Sequence, residues 1–111
     1  MTDGARSASA AESAAVTRSD GMLSASGSLT FETVPGLLDQ TQKWLQEPGG
    51  AITVDLKGVT RADSAGLALL VEWLRLARLK NRPLTFSNVP DQVCSLIRVN
   101  SLGHALGVNG S

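Results

Sequence analysis

The sequence predicts a single α/β domain in which helices pack on one β-sheet. The chain has 111 residues, of which 42% are apolar, and this length and composition suit one small globular domain. Its apolar residues recur with periods that indicate the order strand, strand, helix, strand, helix, strand, helix. The single cysteine excludes a disulfide within the chain, so the fold must be stabilised by its hydrophobic core.

The first half of the chain contains a predicted hairpin followed by a helix. Two short patterned segments, Ala14 to Arg18 and Met22 to Ser28, flank the pair Asp20-Gly21, which is typical of a two-residue hairpin turn. From Val34 onward, apolar residues recur at steps of three and four until the segment 47–50, Glu-Pro-Gly-Gly. That spacing predicts an amphipathic helix.

The second half alternates strands with helices. Alternation of apolar and polar residues predicts the strands, and longer runs at helical spacing predict the helices. In chain order we expect a strand at 52–56, a loop at 57–63, a helix at 64–80, a strand at 84–86, a helix from Asp91 and a short edge segment at 103–108.

Composition also limits where in the cell the protein is expected and what it is expected to bind. Residues 1–15 are mostly Ala, Ser and Thr, so we predict a disordered N-terminal tail at 1–15 followed by the folded domain at 16–111. The formal net charge is zero, which does not favour nucleic-acid binding. The longest apolar run, Ala65–Val71, has seven residues, far fewer than the ~20 of a membrane span. Without a predicted span or a secretory signal, we expect a cytoplasmic protein.

The residues Asp63, Ser64, Ala65 and Gly66 place a carboxylate and a hydroxyl at the predicted start of the longest helix. Free backbone N–H groups and the positive end of the helix dipole lie at such a position. One interpretation is structural, with Ser64 as the helix cap. The other is functional, because such a helix start at the edge of a sheet can receive a phosphate or a partner's side chain.

The stretch from Ile52 to Arg78, ITVDLKGVTRADSAGLALLVEWLRLAR, resembles the centre of STAS domains. These small α/β modules include bacterial anti-anti-sigma factors and the small cytoplasmic subunit of the Mla phospholipid ABC transporter. The resemblance extends over about 85 residues, from the segment before Gly27 to the end. It implies a STAS-like fold, with a four- to five-stranded mixed sheet flanked by three to four helices. It also implies a binding module without catalysis of its own.

Two branches of the family differ at the motif. In phosphorylation-switched anti-sigma antagonists, a Ser or Thr directly before the motif glycine accepts the phosphate, and here that residue is Ala65. The transporter branch resembles this chain in having a hydroxyl residue, here Ser64, directly after the motif aspartate. The resemblance therefore implies first a transporter subunit that binds its ABC ATPase at the inner membrane. The alternative is an anti-anti-sigma factor that binds an anti-sigma kinase, with Asp63 and Ser64 as a possible regulatory site.

A helical projection of residues 67–80 places Leu69, Trp73 and Leu76 roughly opposite the arc expected to pack on the sheet. Exposed leucines beside a tryptophan are typical of a protein interface. We therefore expect a partner-binding surface formed by Ser64, Ala65, Gly66, Leu69, Trp73 and Leu76. The alternative is that the third helix or the N-terminal segment covers this face.

The remaining candidate chemistry is weak. Ser64 as a nucleophile lacks a nearby histidine, because the only one, His104, follows forty residues later. Asp55 and Asp63 are candidates for a pair of catalytic acids or magnesium ligands, but this signal is weak because no phosphate-binding glycine loop accompanies them. We expect no enzymatic activity, no cofactor and no metal site.

Overall fold

One four-stranded sheet carries three helices in residues 13–100, the part of the chain that the computed structural model describes. The strands lie in the order β1-β2-β3-β4, with β1 antiparallel to β2 and the other neighbours parallel. This is the predicted mixed sheet of a STAS-like fold. The elements are β1 (Ala14–Ser19), β2 (Met22–Leu29), α1 (Val34–Gln46), β3 (Ile52–Ala62), α2 (Ser64–Leu79), β4 (Leu84–Ser87) and α3 (Asp91–Val99).

The hairpin between β1 and β2 turns at Asp20-Gly21, as the sequence predicts. Both residues have positive φ, 43° and 79°, which a two-residue hairpin turn of type I′ requires. The strand begins at Ala14, so the last two residues assigned to the predicted tail, Ala14 and Ala15, belong to β1. Residues 1–12 and the predicted edge segment at 103–108 lie outside the described residues.

The strand β3 is longer than the sequence predicts. Its apolar alternation is interrupted at Lys57 and Gly58, and we therefore expected a loop there. The strand continues to Ala62, with shifts in its register against β2 beside Ser24 and Gly27. These irregularities act as bulges that keep β3 paired, and Val59 and Ala62 return to the core.

The core lies between the sheet and the helices. Alternate residues of the strands point into it, whereas the opposite sheet face carries small hydroxyl residues such as Ser24, Ser26 and Thr85, which are exposed. The helices bury apolar side chains against the inner face. The buried strand residues are Val16, Leu23, Ala25, Leu29, Ile52, Val54, Leu56, Val59, Ala62 and Leu84.

In the described residues, no helix is long and apolar enough to cross a membrane.

The exposed apolar stripe expected along α2 does not exist. Leu69, Trp73 and Leu76 are 1%, 0% and 3% exposed, and the prediction that they form an outer surface is wrong. The helix contacts the sheet as well as both α1 and α3, so it is enclosed on several sides. A helical projection that considers only the sheet cannot show the faces that neighbouring helices cover.

A hydrogen bond inside the core joins the two long helices. The indole N–H of Trp73 donates to the hydroxyl oxygen of Thr41 at 2.7 Å. The Thr41 hydroxyl in turn donates to the backbone carbonyl of Leu37 at 2.8 Å. Both side chains are fully buried, and a buried polar group without a partner is costly. This pair therefore fixes how α1 packs on α2.

Replacing the hydroxyl of Thr41 tests that role. Thr41→Val keeps the volume and removes the acceptor of the buried indole N–H, so we expect a loss of about 1–3 kcal/mol in the free energy of unfolding. The free energy of unfolding is measured by urea denaturation, with tryptophan fluorescence as the signal. The control, Thr41→Ser, retains the hydroxyl and should lose less. If Thr41→Val is as stable as the unchanged protein, the hydrogen bond makes no net contribution to the free energy of unfolding.

Candidate functional site

The carboxylate of Asp63 organises the edge of the sheet where β2 and β3 end. Its Oδ1 accepts hydrogen bonds from the backbone N–H groups of Ala65 at 2.9 Å and Gly66 at 3.1 Å. Its Oδ2 accepts the backbone N–H of Phe31 at 3.2 Å. One side chain thus caps α2 and also holds the loop that follows β2.

Ser64 is not the helix cap. That structural interpretation of Ser64 is wrong, because Asp63 occupies the cap position and Ser64 is the first residue of α2. The residue is exposed, and its hydroxyl makes no hydrogen bond with any part of the chain that the structure describes. Ser64 is therefore available to a partner or a modifying enzyme.

Gly66 lets the start of α2 approach β2 closely. A Cβ added to Gly66 would lie 2.2 Å from the backbone oxygen of Leu29 and 2.8 Å from its Cβ. Such contacts are not tolerated, so glycine is required for this packing. Gly66 is buried and Ala65 is half-buried. Of the three adjacent residues predicted to bind a partner, Ser64 is therefore the most accessible. Gly66 contributes indirectly, by letting α2 pack closely against β2.

Phe31 is the surface residue that the sequence reasoning missed. Its residue exposure is 71%, although large apolar side chains are usually buried. Its backbone is fixed to Asp63, and the adjoining turn is stabilised by Thr33, whose hydroxyl accepts the N–H of Thr30 and donates to the carbonyl of Ser28. The available signal was a large aromatic residue three positions after the predicted strand segment 22–28.

A third element is attached to the same edge. The side-chain amide of Gln92, in the first turn of α3, accepts the backbone N–H of Ala62 at 2.8 Å and donates to its carbonyl at 3.0 Å. Ala62 directly precedes Asp63 in the chain. The start of α3, the end of β3 and the start of α2 are consequently held in one arrangement.

The two aspartates considered as a possible pair bind different backbone segments. Asp55 accepts the N–H of Lys57 at 2.9 Å and the side-chain amide of Asn88 at 3.1 Å, and these bonds lower the pKa of its carboxyl group. Asp63 instead binds the loop after β2 and the start of α2. Within residues 13–100, no group of three His, Cys, Asp or Glu residues could hold a metal ion.

The site therefore consists of an exposed aromatic ring and an exposed hydroxyl on two backbone segments joined by Asp63. Of the predicted partner-binding residues, Ser64, Ala65 and Gly66 lie at this edge. Leu69, Trp73 and Leu76 follow along the same helix and are enclosed in the core. What the arrangement offers is a surface for binding, with an apolar group beside hydrogen-bonding groups.

Comparison with protein families is consistent with this geometry. The family model described as "Mlab, STAS domain" matches residues 13–108, which is most of the chain. The chain belongs to the STAS domain family. A search of curated proteins found no significant match.

Several solved structures have a similar fold. An anti-sigma factor antagonist from Mycobacterium paratuberculosis superposes with a TM-score of 0.68 at 20% identity, over 89% of this chain and 86% of that one. SLC26A9 gives a TM-score of 0.59 at 15% identity, over 79% of this chain and 17% of that one. A protein named Mglu gives 0.55 at 18% identity, over 71% and 20%. At these identities the likeness shows the fold alone.

Proposed function

We propose that this STAS domain is a non-enzymatic subunit of an Mla-type phospholipid-transporting ABC complex. It docks on the ATPase subunit at the cytoplasmic face of the inner membrane and stabilises or regulates it. The observation that carries the proposal is the surface built on Asp63, where the exposed Phe31 lies on a loop bonded to the start of α2. The match to the family model described as "Mlab, STAS domain" supports the choice of partner.

The residue before the motif glycine favours the same branch. Ala65 has no hydroxyl and therefore cannot accept a phosphate at the position where the phosphorylation-switched relatives carry one. The partner's affinity for this surface then depends on shape and apolar contact rather than on a phosphate at that position. If the ATPase has two conformations, this domain can shift the balance between them only as far as its affinities for the two conformations differ.

The proposed docking surface differs from the one predicted from the sequence, because three of the predicted residues of α2 are buried. Leu69, Trp73 and Leu76 are removed from it because they are enclosed in the monomer. Phe31 takes the role of the apolar anchor, and Ser64 and Ala65 at the helix start provide the adjoining polar and small contacts. A well-packed aromatic residue at the centre of an interface typically contributes at least ~2 kcal/mol to binding.

Copurification with the ABC ATPase tests this surface. We expect Phe31→Ala to weaken the affinity about 30-fold or more, with circular dichroism unchanged because the side chain is exposed. The matched control is Leu79→Ala, which removes an apolar side chain of 64% residue exposure at the other end of α2, about 22 Å away along the helix. Binding that is insensitive to Phe31→Ala, or equally sensitive to both changes, would contradict the proposed surface.

An anti-sigma factor antagonist is the second candidate function. The fold likeness to the mycobacterial antagonist, which extends over 89% of this chain, favours it. In that case the partner is an anti-sigma kinase, and Ser64 is the exposed hydroxyl nearest the motif glycine.

The two candidates differ in the chemistry expected at Ser64. Under the transporter proposal, incubation with an anti-sigma kinase and ATP should leave the protein unmodified, as judged by intact mass. Ser64→Ala provides the control for the modified position. Stoichiometric phosphate that disappears in Ser64→Ala would support the antagonist function and contradict the transporter subunit.

A further inference from the structure

A cleft of about 340 Å³ lies at the end of the sheet opposite Asp63. It opens where β2 and β3 begin, at Met22 and Ile52, whereas Asp63 follows the last residue of β3. Its lining combines buried apolar residues with charged groups. The lining residues are Arg18, Asp20, Gly21, Met22, Leu23, Trp44, Leu45, Glu47, Ile52 and Arg82.

Arg82 provides a fixed guanidinium group in this cleft. Its Nε donates to the carbonyl of Gly50 at 2.9 Å, and its Nη1 donates to the carbonyls of Glu47 at 3.0 Å and Trp44 at 3.3 Å. Arg82 thereby satisfies carbonyls at the C-terminal end of α1. Its Nη2 has no acceptor within the described part of the chain, so one edge of the group can still donate.

Arg18 provides a second guanidinium group that is bound less firmly. It lies over the ring of Trp44, 5.0 Å from the centroid, and its Nη1 pairs with Glu47 Oε1 at 2.9 Å. The two charged side chains are 43% and 52% exposed. An ion pair this exposed contributes little net energy, so another anion can replace the carboxylate of Glu47 at small cost.

We propose that this cleft binds a small amphipathic anion, in which a carboxylate is joined to a short apolar chain. The carboxylate binds the free N–H groups of Arg18 and Arg82, because guanidinium groups match carboxylates in charge and geometry. The apolar chain lies against Met22, an apolar lining residue that is 42% exposed, above the nearly buried Leu23, Leu45 and Ile52. In the free protein, Glu47 is the internal competitor for Arg18.

Hexanoate is a suitable probe, and its binding can be measured by NMR titration of the backbone amides. A ligand of this size should bind with a Kd on the order of 1 mM. We expect saturable shifts at the residues that line the cleft, including Gly21 and Trp44, and none at Phe31. Controls with 1-hexanol and hexylammonium share the apolar chain and lack the carboxylate, and they should bind at least about tenfold more weakly.

Two variants should change the affinity in opposite directions. Arg18→Gln removes one guanidinium and should weaken hexanoate binding about tenfold, whereas Glu47→Gln removes the competing carboxylate and should tighten it about threefold. The matched control is Arg75→Gln, which breaks another exposed pair, Arg75 with Glu72, outside the cleft lining. It should leave the Kd unchanged.

Three results would overturn the inference. They are the absence of saturable shifts at the cleft, equal binding of hexanoate and 1-hexanol, and unchanged affinity in both Arg18→Gln and Glu47→Gln. The cleft and the Phe31 surface lie at opposite ends of the sheet, so failure of one proposal leaves the other intact.

Discussion

The proposed docking surface of this domain depends on one group, the carboxylate of Asp63. It accepts three backbone N–H groups from two separate segments, one in the loop after β2 and two in the first turn of α2. A helix cap usually serves its own helix alone. Here it also sets where Phe31 stands relative to Ser64. The geometry of the proposed docking surface is therefore fixed in the free domain, and such preorganisation reduces the entropy cost of association.

The packing of α2 explains why the apolar residues Leu69, Trp73 and Leu76 are excluded from the proposed docking surface. Neighbouring helices and the sheet cover the face of α2 that carries these residues, and the bond between Trp73 and Thr41 fixes its contact with α1. The exposed part of its middle carries Ala68 and the ion pair of Arg75 with Glu72, whereas the two proposed sites lie beside Asp63 and, at the other end of the sheet, in the cleft containing Arg18 and Arg82.

Much of the fold could be predicted from the sequence, because periodicity and turn residues are local signals. The hairpin at Asp20-Gly21 and the start of the long helix at Ser64 follow from such signals. The burial of Trp73 could not be predicted, since it depends on where α1 packs. The exposure of Phe31 and the choice of Asp63 over Ser64 as the cap also depend on contacts between distant segments, which spacing along the chain does not specify.

Amide hydrogen exchange in Asp63→Ala tests the central role of this carboxylate most directly. Losing a cap costs about 1–2 kcal/mol, so the N–H groups of Phe31, Ala65 and Gly66 should all exchange roughly 5- to 30-fold faster. Asp63→Asn, which retains an acceptor oxygen, should change them less. The amide of Trp73 reports any general loss of stability. If Phe31 exchanges at its original rate while Ala65 and Gly66 accelerate, Asp63 does not couple the two segments, and the account of a preassembled surface is wrong.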